Sequence, residues 1–359
     1  MPLPEHAIRA RIRNEIRLEK RVLPGGERIF RFRSKRYGAG WPLAKYLSAI
    51  GPRWPEELRR HWCLEGRCTV DGQAVGPDWP VEPGHLIELR VLPLPLAGPP
   101  PPPLALLWHD RRLAIANKPT GQLAHPAGRE LQGTLLNQLQ EWAHAQGLDP
   151  SAVRLVNRID RETSGIVIAT LDLPTHRRLC AQLQQRALGK LYKAICVGVP
   201  EPPQGEWREP LGPLGPHTIA RGVVPDGQPS HTAYSVEEVA ADRRHSVLRL
   251  ELHTGRQHQI RVHAAHHGHP LVGDWVYGQP VAELPGQALH AWKVSFQHPH
   301  SGERLEIEAP FPPALAALWE RLRAGGSVTP IALTAEQRSK LGLPPETAPG
   351  ALPPSAGAR

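Results

Sequence analysis

A run of prolines near residue 100 places the strongest restriction on how this chain can fold. Residues 91–104 read VLPLPLAGPPPPPL. Because proline fixes its own φ and lacks a backbone N–H, such a run cannot continue a helix or an inner strand, and it stays extended. We therefore expect a semi-rigid linker over residues 93–103, with a small domain before it and a larger domain after it.

The segment before the linker carries two helical patterns followed by a small β-unit. Apolar residues recur at helical spacing in LAKYLSAI (43–50), and Leu58 and Trp62 indicate a second short helix. The stretch GRCTVDGQAVGPDWPVEPGHLIELRV alternates in polarity and contains Asp-Gly and Pro-Gly turn signals, which predict short strands joined by hairpins.

This order of two helices and a β-unit ending in PGHLIEL resembles the αL RNA-binding module, known from a bacterial ribosomal protein and several RNA-modifying enzymes. The resemblance implies an RNA-binding domain over 38–92, and an unrelated α+β module remains the alternative. Residues 1–37 are charged and weakly patterned, so we expect a basic N-terminal arm that is either mobile or packed on the body.

The charge balance favours a polyanionic partner. The formal net charge is +9 and the sequence pI is about 9.7, and basic surfaces gain affinity for phosphates by releasing counterions. No apolar run approaches the roughly 20 residues of a membrane span. The N-terminal MPLPEHAIRARIRNEIRLEKR is charged where a signal peptide is apolar, so we expect a cytoplasmic protein with four reduced cysteines.

The region after the linker alternates between strands and helices. Strand-like runs include RLAIANKP, GIVIAT, KLYKAICVGVP and HSVLRLELHTG, whereas TLLNQLQEWAHAQG and THRRLCAQLQQRA are helical in pattern. Strands joined directly, with a few helices inserted, predict an α+β domain over 104–325 with a mixed, largely antiparallel sheet. Residues 326–359 are rich in Pro, Ala, Gly and Ser, so we expect a disordered tail.

The segment RLVNRIDRETSGIVIAT, residues 154–170, carries the strongest indication of chemistry. It places Asp160 on a tight loop before a buried strand, where Thr163 and Ser164 could donate hydrogen bonds to it or cap the backbone. Arg158 and Arg161 flank the acid and favour its ionised form. An ionised, oriented aspartate suits nucleophilic attack or proton abstraction from a sugar.

These motifs resemble the RluA-type family of pseudouridine synthases. The family signature HRLDxxTSG appears here as NRIDRETSG, with asparagine for histidine and isoleucine for leucine. LWHDRRLAIANKPTGQLAHP, GKLYKAICVG, TGRQHQIRVHAAHHGHPLVGDWVYG and LHAWKVSFQHPHSGERLEIEAPFP are similar to further family segments in the same order. The asparagine bears on substrate preference more than on the reaction.

The resemblance implies an isomerase that converts a uridine in structured RNA, either rRNA or tRNA, to pseudouridine without a metal, nucleotide or redox cofactor. It implies that Asp160 is the catalytic residue, attacking C1′ or removing the C2′ proton. Arg158 would enter the RNA helix or clamp a phosphate while the target base flips out. Tyr192 would stack on the uracil, and Arg261 would pair with Asp160. A monomer without an obligate protein partner is the default expectation.

Three other interpretations remain open from the residues alone. Asp160 and Glu162 could be the acid/base pair of a glycoside-cleaving enzyme, although residues two apart on an extended loop tend to point opposite ways. The chain could instead be a non-catalytic RNA-binding protein. The histidines of HQIRVHAAHHGHP have spacings that suit zinc, but no metal is expected because the family resemblance accounts for the segment. Lys118 and Lys190 are expected to be solvated.

Overall fold

A computed structural model describes residues 3–22, 27–51, 54, 56–91, 100–127, 132–215 and 218–343. Residues 92–99 lie outside this set, so most of the expected proline linker is not described. The chain divides into two compact units, each built from three segments. The first unit comprises Met1–Ile115, Gln122–Arg158 and Val167–Arg177, and the second comprises Ala116–Gly121, Ile159–Ile166 and Arg178–Arg359.

Within the described residues there are eight α-helices and seventeen strands. The helices are α1 (Glu5–Glu15), α2 (Leu43–Ile50), α3 (Glu56–Leu64), α4 (Leu135–Ala145), α5 (Leu173–Gln184), α6 (Gln259–His266), α7 (Pro313–Arg323) and α8 (Ala335–Leu341). The strands are β1 (Glu19–Val22), β2 (Arg28–Arg33), β3 (Cys68–Val70), β4 (Gln73–Ala74), β5 (Leu86–Val91), β6 (Leu106–His109), β7 (Leu113–Lys118), β8 (Arg154–Leu155), β9 (Ser164–Thr170), β10 (Gly189–Val197), β11 (Gln204–Trp207), β12 (Leu211–Pro213), β13 (Arg221–Val223), β14 (Thr232–Val239), β15 (His245–Leu252), β16 (Leu289–Gln297) and β17 (Arg304–Glu308).

A five-stranded antiparallel sheet in the order β1-β2-β5-β3-β4 forms the N-terminal part of the first unit. Helices α2 and α3, both predicted from apolar spacing, bury Tyr46, Leu47 and Trp62 in the core beside it. The predicted hairpin is present between β3 and β4. Its two turn residues, Asp71 and Gly72, both have positive φ, as a tight two-residue hairpin turn requires.

The structure differs from the expected boundary at residue 37. Strand β2 pairs with β5 along its whole length, and its alternating Phe30 and Phe32 are buried. In α1, Ile12 is fully buried in the same core. Much of the expected basic arm is therefore part of the N-terminal sheet and core, because its few apolar residues fall on one face. The likeness to the αL module stays a prediction.

The second unit contains an antiparallel sheet in the order β11-β14-β15-β10-β16, with β17 beside β16. Strand β16 also pairs in parallel with the start of β9, at Ser164 and Gly165. One apolar cluster packs Tyr192 against residues of β15, α6 and β16. Another packs α7 against residues that include Ile195 and Val247. The α+β fold with a mixed, largely antiparallel sheet is confirmed.

The first part of the expected disordered tail, 326–359, carries regular structure. Pro330 forms a β-bridge with Val281, and the side chain of Thr334 caps the start of α8. These backbone and capping bonds order a segment that buries little apolar surface, whereas residues 344–359 lie outside the described residues. Among those that are described, no helix is long and apolar enough to cross a membrane.

Candidate active site

Asp160 lies on the loop that joins β8 to β9, and the start of β9 fixes the end of that loop. Gly165 has a φ of +109°, and a Cβ there would lie 2.3 Å from the carbonyl oxygen of Ala291. Only glycine permits this approach of β9 to β16. Strand β9 is buried along its whole length, whereas the Asp160 side chain keeps 26% of its surface exposed. The loop thus presents one accessible carboxylate from a rigid base.

The side chains of Thr163 and Ser164 anchor the loop, contrary to the expectation that they would donate to Asp160 or cap the backbone. Gln287 Nε2 donates to Thr163 Oγ1 at 2.9 Å, and Ser164 Oγ lies 2.9 Å from His290 Nδ1. Both residues follow the aspartate on the chain but turn toward partners in the buried interior. They position Asp160 through the backbone.

Lys118 is fully buried, so the expectation that it is solvated is wrong, and Lys190 is buried as well. The Lys118 ammonium group donates to the carbonyl oxygens of Arg161 at 2.9 Å and Pro119 at 2.7 Å. Burial lowers the pKa of Lys118 to about 7, although the charges of Glu162 and Asp160 act in the opposite direction. The lysine therefore ties the turn of the NKPTG segment to the residue that follows Asp160.

Arg261 connects two carboxylates. Its Nη1 donates to Asp160 Oδ2 at 3.0 Å, which is the pair that the family resemblance implies. Its Nε and Nη2 each donate to one oxygen of Asp274 at 2.7 Å. Burial alone would lower the pKa of Arg261, but hydrogen bonding and charge attraction from Asp274 and then Asp160 outweigh it and raise the pKa. The guanidinium is therefore a permanent cation against Asp160.

Asp274 is a site residue that the sequence reasoning missed. It is fully buried and also accepts the backbone N–H groups of Val276 and Tyr277. Two charged hydrogen bonds from one arginine, in parallel geometry, fix a guanidinium strongly. The signal was available, since Asp274 is the acid of the GDWVYG motif quoted for the resemblance.

His258 and Tyr277 form a hydrogen-bonded pair beside the aspartate. The Tyr277 hydroxyl accepts the backbone N–H of Arg221 at 2.8 Å and lies 2.7 Å from His258 Nδ1. One of these two groups donates to the other, and His258 Nε2 lies 3.9 Å from Asp160 Oδ2. Burial lowers the pKa of His258 to about 4, so the ring is neutral.

The other two predicted site residues differ in their surroundings. Tyr192 lies on β10 and is 6% exposed, in the cluster with Leu250 and Ala291. Burial, and then the charge of Asp160, raise the pKa of its hydroxyl, which stays protonated. Arg158 is exposed and precedes Asp160 by two residues, at the end of a segment of the first unit.

Two histidines of the histidine-rich stretch, His263 and His267, form hydrogen bonds with other side chains of the protein. His263 places Nε2 2.9 Å from Ser230 Oγ and Nδ1 2.9 Å from Thr232 Oγ1. His267 Nε2 lies 3.1 Å from a carboxylate oxygen of Glu209. In the part of the chain that the structure describes, no group of three or more His, Cys, Asp or Glu residues could hold a metal ion.

This arrangement defines a class of enzyme that works with one accessible carboxylate. Arg261 holds Asp160 from one side, and Asp274 fixes the arginine. A carboxylate so held can act as a nucleophile or as a base. Aromatic and basic side chains lie beside it, including Tyr192, His258 and Arg261.

Several known proteins are similar to this chain in sequence and in fold. The family model described as RNA pseudouridylate synthase matches residues 112–266. The ribosomal large subunit pseudouridine synthase D of Nitrosomonas europaea is 35% identical over 305 residues, which cover 79% of this chain and 85% of that protein. The protein of the same name from Pseudomonas aeruginosa is 34% identical over 306 residues, with 79% and 92% covered.

A solved structure titled human RNA pseudouridylate synthase domain containing 4 shares the fold, at a TM-score of 0.50 and 24% identity. It covers 61% of this chain and 93% of that one. The chain belongs to the RNA pseudouridine synthases, of RluA type, which are isomerases that convert uridine in RNA to pseudouridine. The glycoside-cleaving interpretation is therefore wrong.

Proposed function

We propose that this enzyme modifies a uridine of large-subunit ribosomal RNA, with Asp160 as the reacting group and without a cofactor. The observation that carries the proposal is the 3.0 Å hydrogen bond from the buried Arg261 to the accessible Asp160. The curated relatives from Nitrosomonas and Pseudomonas support the choice of RNA, since both are named for the ribosomal large subunit. Transfer RNA is the other outcome of the test.

The reaction breaks the bond from uracil N1 to C1′ of the ribose and forms a bond from C5 to C1′, and C5 loses a proton while N1 takes one up. Asp160 either attacks C1′ or removes the C2′ proton, and both routes need an ionised carboxylate aimed at the sugar. Arg261 places a positive charge beside the Asp160 carboxylate and holds that carboxylate in one orientation through their hydrogen bond. The target base must leave its stack, which costs a few kcal/mol and less in a loop.

Tyr192 and Arg158 are proposed to handle the displaced base. The Tyr192 ring meets the uracil, and base stacking on an aromatic ring contributes roughly 1–3 kcal/mol. Because the ring is largely buried, only a small part of its surface is available for the base. Its hydroxyl is proposed to relay a proton at C5, giving up its own proton as it accepts the one that C5 loses. Arg158 fills the gap in the RNA, or clamps a phosphate, and the N-terminal module adds phosphate contacts.

The test is release of tritium from RNA labelled at uracil C5. RNA should come from cells that lack this gene, separated into ribosomal and transfer RNA. We expect release from ribosomal RNA by the wild type, none by Asp160→Asn, and most of the activity in Glu162→Gln, the matched change of a neighbouring acid. Activity of Asp160→Asn, or release from transfer RNA alone, would contradict the proposal.

Two further variants separate the roles of the base-handling residues. Tyr192→Phe keeps the ring and loses the hydroxyl, so a loss of turnover there and not only in Tyr192→Leu supports proton transfer at C5. Arg158→Gln should raise KM mainly for a target uridine in a paired segment if Arg158 is a wedge. An equal rise of KM for a single-stranded target indicates a phosphate clamp.

A cytoplasmic location is expected from the proposed ribosomal RNA substrate, and it stays a prediction.

A further inference from the structure

We propose that a cavity in the second unit binds a nucleotide that flanks the target uridine in the substrate RNA. This inference rests on the proposed function and assigns part of its substrate recognition. The cavity is partly open to solvent and has a volume of about 290 Å³ beside the two-stranded ribbon of β12 and β13. A cavity of roughly 300 Å³ is at the lower end of the range for small-molecule sites, and is suited to one nucleotide unit.

Closely packed backbone segments form part of the cavity wall. Leu211 exchanges two backbone hydrogen bonds with Gln228, at 3.0 and 2.8 Å, and this closes the ribbon over a loop. A Cβ on Gly227 would lie 2.7 Å from the backbone nitrogen of Leu211, and one on Gly212 would lie 2.5 Å from a methyl group of Val224. Glycine is therefore needed at position 227, where a Cβ would meet backbone, whereas at position 212 the Val224 side chain would have to move.

Two guanidinium groups, those of Arg221 and Arg256, line this cavity, and no carboxylate of the described part of the chain pairs with either. Arg221 donates from Nε and Nη2 to Gln257 Oε1, at 3.1 and 2.6 Å, which holds its side chain in place. Arg256 donates from Nε to the carbonyl oxygen of Pro229 at 3.1 Å. Among the described residues neither arginine forms an ion pair. Two cations fixed without an anion suit a phosphodiester group.

A short chain of contacts connects the cavity to the reacting aspartate. The backbone N–H of Arg221 donates to the Tyr277 hydroxyl, which pairs with His258 Nδ1 at 2.7 Å, and His258 Nε2 lies 3.9 Å from Asp160. Gln257 lines the cavity, and the next residue, His258, faces the aspartate from a left-handed backbone conformation with φ +57°. An RNA strand with its target ribose at Asp160 therefore brings a neighbouring nucleotide to the cavity.

The remaining polar groups of the cavity suit the edge of a base. Asp226 offers a carboxylate, and no ion pair involves it among the described residues. A carboxylate accepts hydrogen bonds from the exocyclic amino group of a base, as aspartate does from cytosine N4. Uracil has no such group. We therefore assign to the cavity a nucleotide whose phosphate meets Arg221 and Arg256, and whose amino-bearing base faces Asp226.

The test compares Arg256→Gln with Arg244→Gln in the full-length enzyme, using a large-subunit rRNA transcript labelled with tritium at uracil C5. Arg244 is the matched control, because it is an exposed arginine of the same unit that lies outside the cavity lining, and its Nε is 3.8 Å from a carboxylate oxygen of Asp242. We expect Arg256→Gln to raise KM about 10-fold with kcat nearly unchanged, and to reduce the slope of log KM against log salt by about 0.7. Arg244→Gln should leave both as in the wild type.

Equal behaviour of the two arginine variants would overturn the proposal. If the wild type releases no tritium from any RNA, the proposed function fails. Filter binding of the same transcript by the two variants then still tests whether the cavity contacts RNA.

A second experiment varies each nucleotide that flanks the target. The wild type should discriminate against uracil at one position by about 10-fold, and Asp226→Asn should lose that discrimination. Absence of any such position would refute the base contact.

Discussion

Replacing Asp274 with asparagine removes the buried charge that fixes Arg261. The wild-type carboxylate is fully buried, makes both of its contacts to the guanidinium at 2.7 Å, and accepts two backbone N–H groups. Leaving one member of a buried ion pair uncompensated costs about 3–5 kcal/mol. Asparagine keeps the shape and one acceptor, and Asp160 still meets the arginine, so we expect about 3 kcal/mol of destabilisation.

Calorimetry of the folded enzyme measures this cost. For a unit of this size, 1 kcal/mol shifts Tm by roughly 2–4 °C, so the transition of the second unit should fall by about 6–12 °C. Asp242→Asn, which removes a partly exposed acid of the same unit, should shift Tm by less than about 2 °C. Tritium release by Asp274→Asn should also fall, although Asp160 is intact. A Tm within the range of the control would refute the assignment of Asp274 as the anchor of Arg261.

Two further outcomes follow from the geometry. Gly165→Ala should destabilise the protein by about 2 kcal/mol more than Gly302→Ala, since both glycines have positive φ but only the first would place a Cβ against backbone, and urea unfolding of the two variants measures the difference. Burial lowers the pKa of His258 and His290 to about 4 each, below the unfolded value near 6.5. Between these pH values the unfolded chain holds more protons, so the free energy of unfolding falls as the pH drops from 6.5 to 4, by up to about 3 kcal/mol per histidine, and His290→Asn should flatten the dependence measured by urea unfolding.

Features set by local patterns were predictable from the sequence. Apolar spacing predicted α2 and α3, and the Asp71-Gly72 pair predicted the hairpin between β3 and β4, because both depend on residues close together along the chain. Asp160 was singled out as a candidate for the same reason, since a polar loop and a β-branched run flank it directly, and its role stays a prediction. The family resemblance, rather than the pattern, supplied Tyr192 and Arg261.

Features set by distant contacts were not predictable. Nothing in the sequence near Lys118 indicates burial, because the carbonyl oxygen of Arg161 that it binds lies 43 residues further on. The bridge between Val281 and Pro330 likewise orders a segment whose composition predicts disorder. In each case the deciding partner is brought near by the fold, and the local sequence alone cannot reveal it.

Each of the two units is composed of separate segments of the chain, and this limits which fragments of the protein can contain the whole site. Asp160 belongs to Ile159–Ile166, a segment of the second unit, while the chain on both sides of it belongs to the first. A fragment that begins at Arg178 therefore lacks the aspartate, and one that ends at Arg177 lacks both Arg261 and Asp274. During synthesis, the aspartate emerges from the ribosome about a hundred residues before its arginine, as their 101-residue separation requires. A contiguous cassette that carries Asp160, Arg261 and Asp274 must therefore also carry Val167–Arg177, which belongs to the first unit.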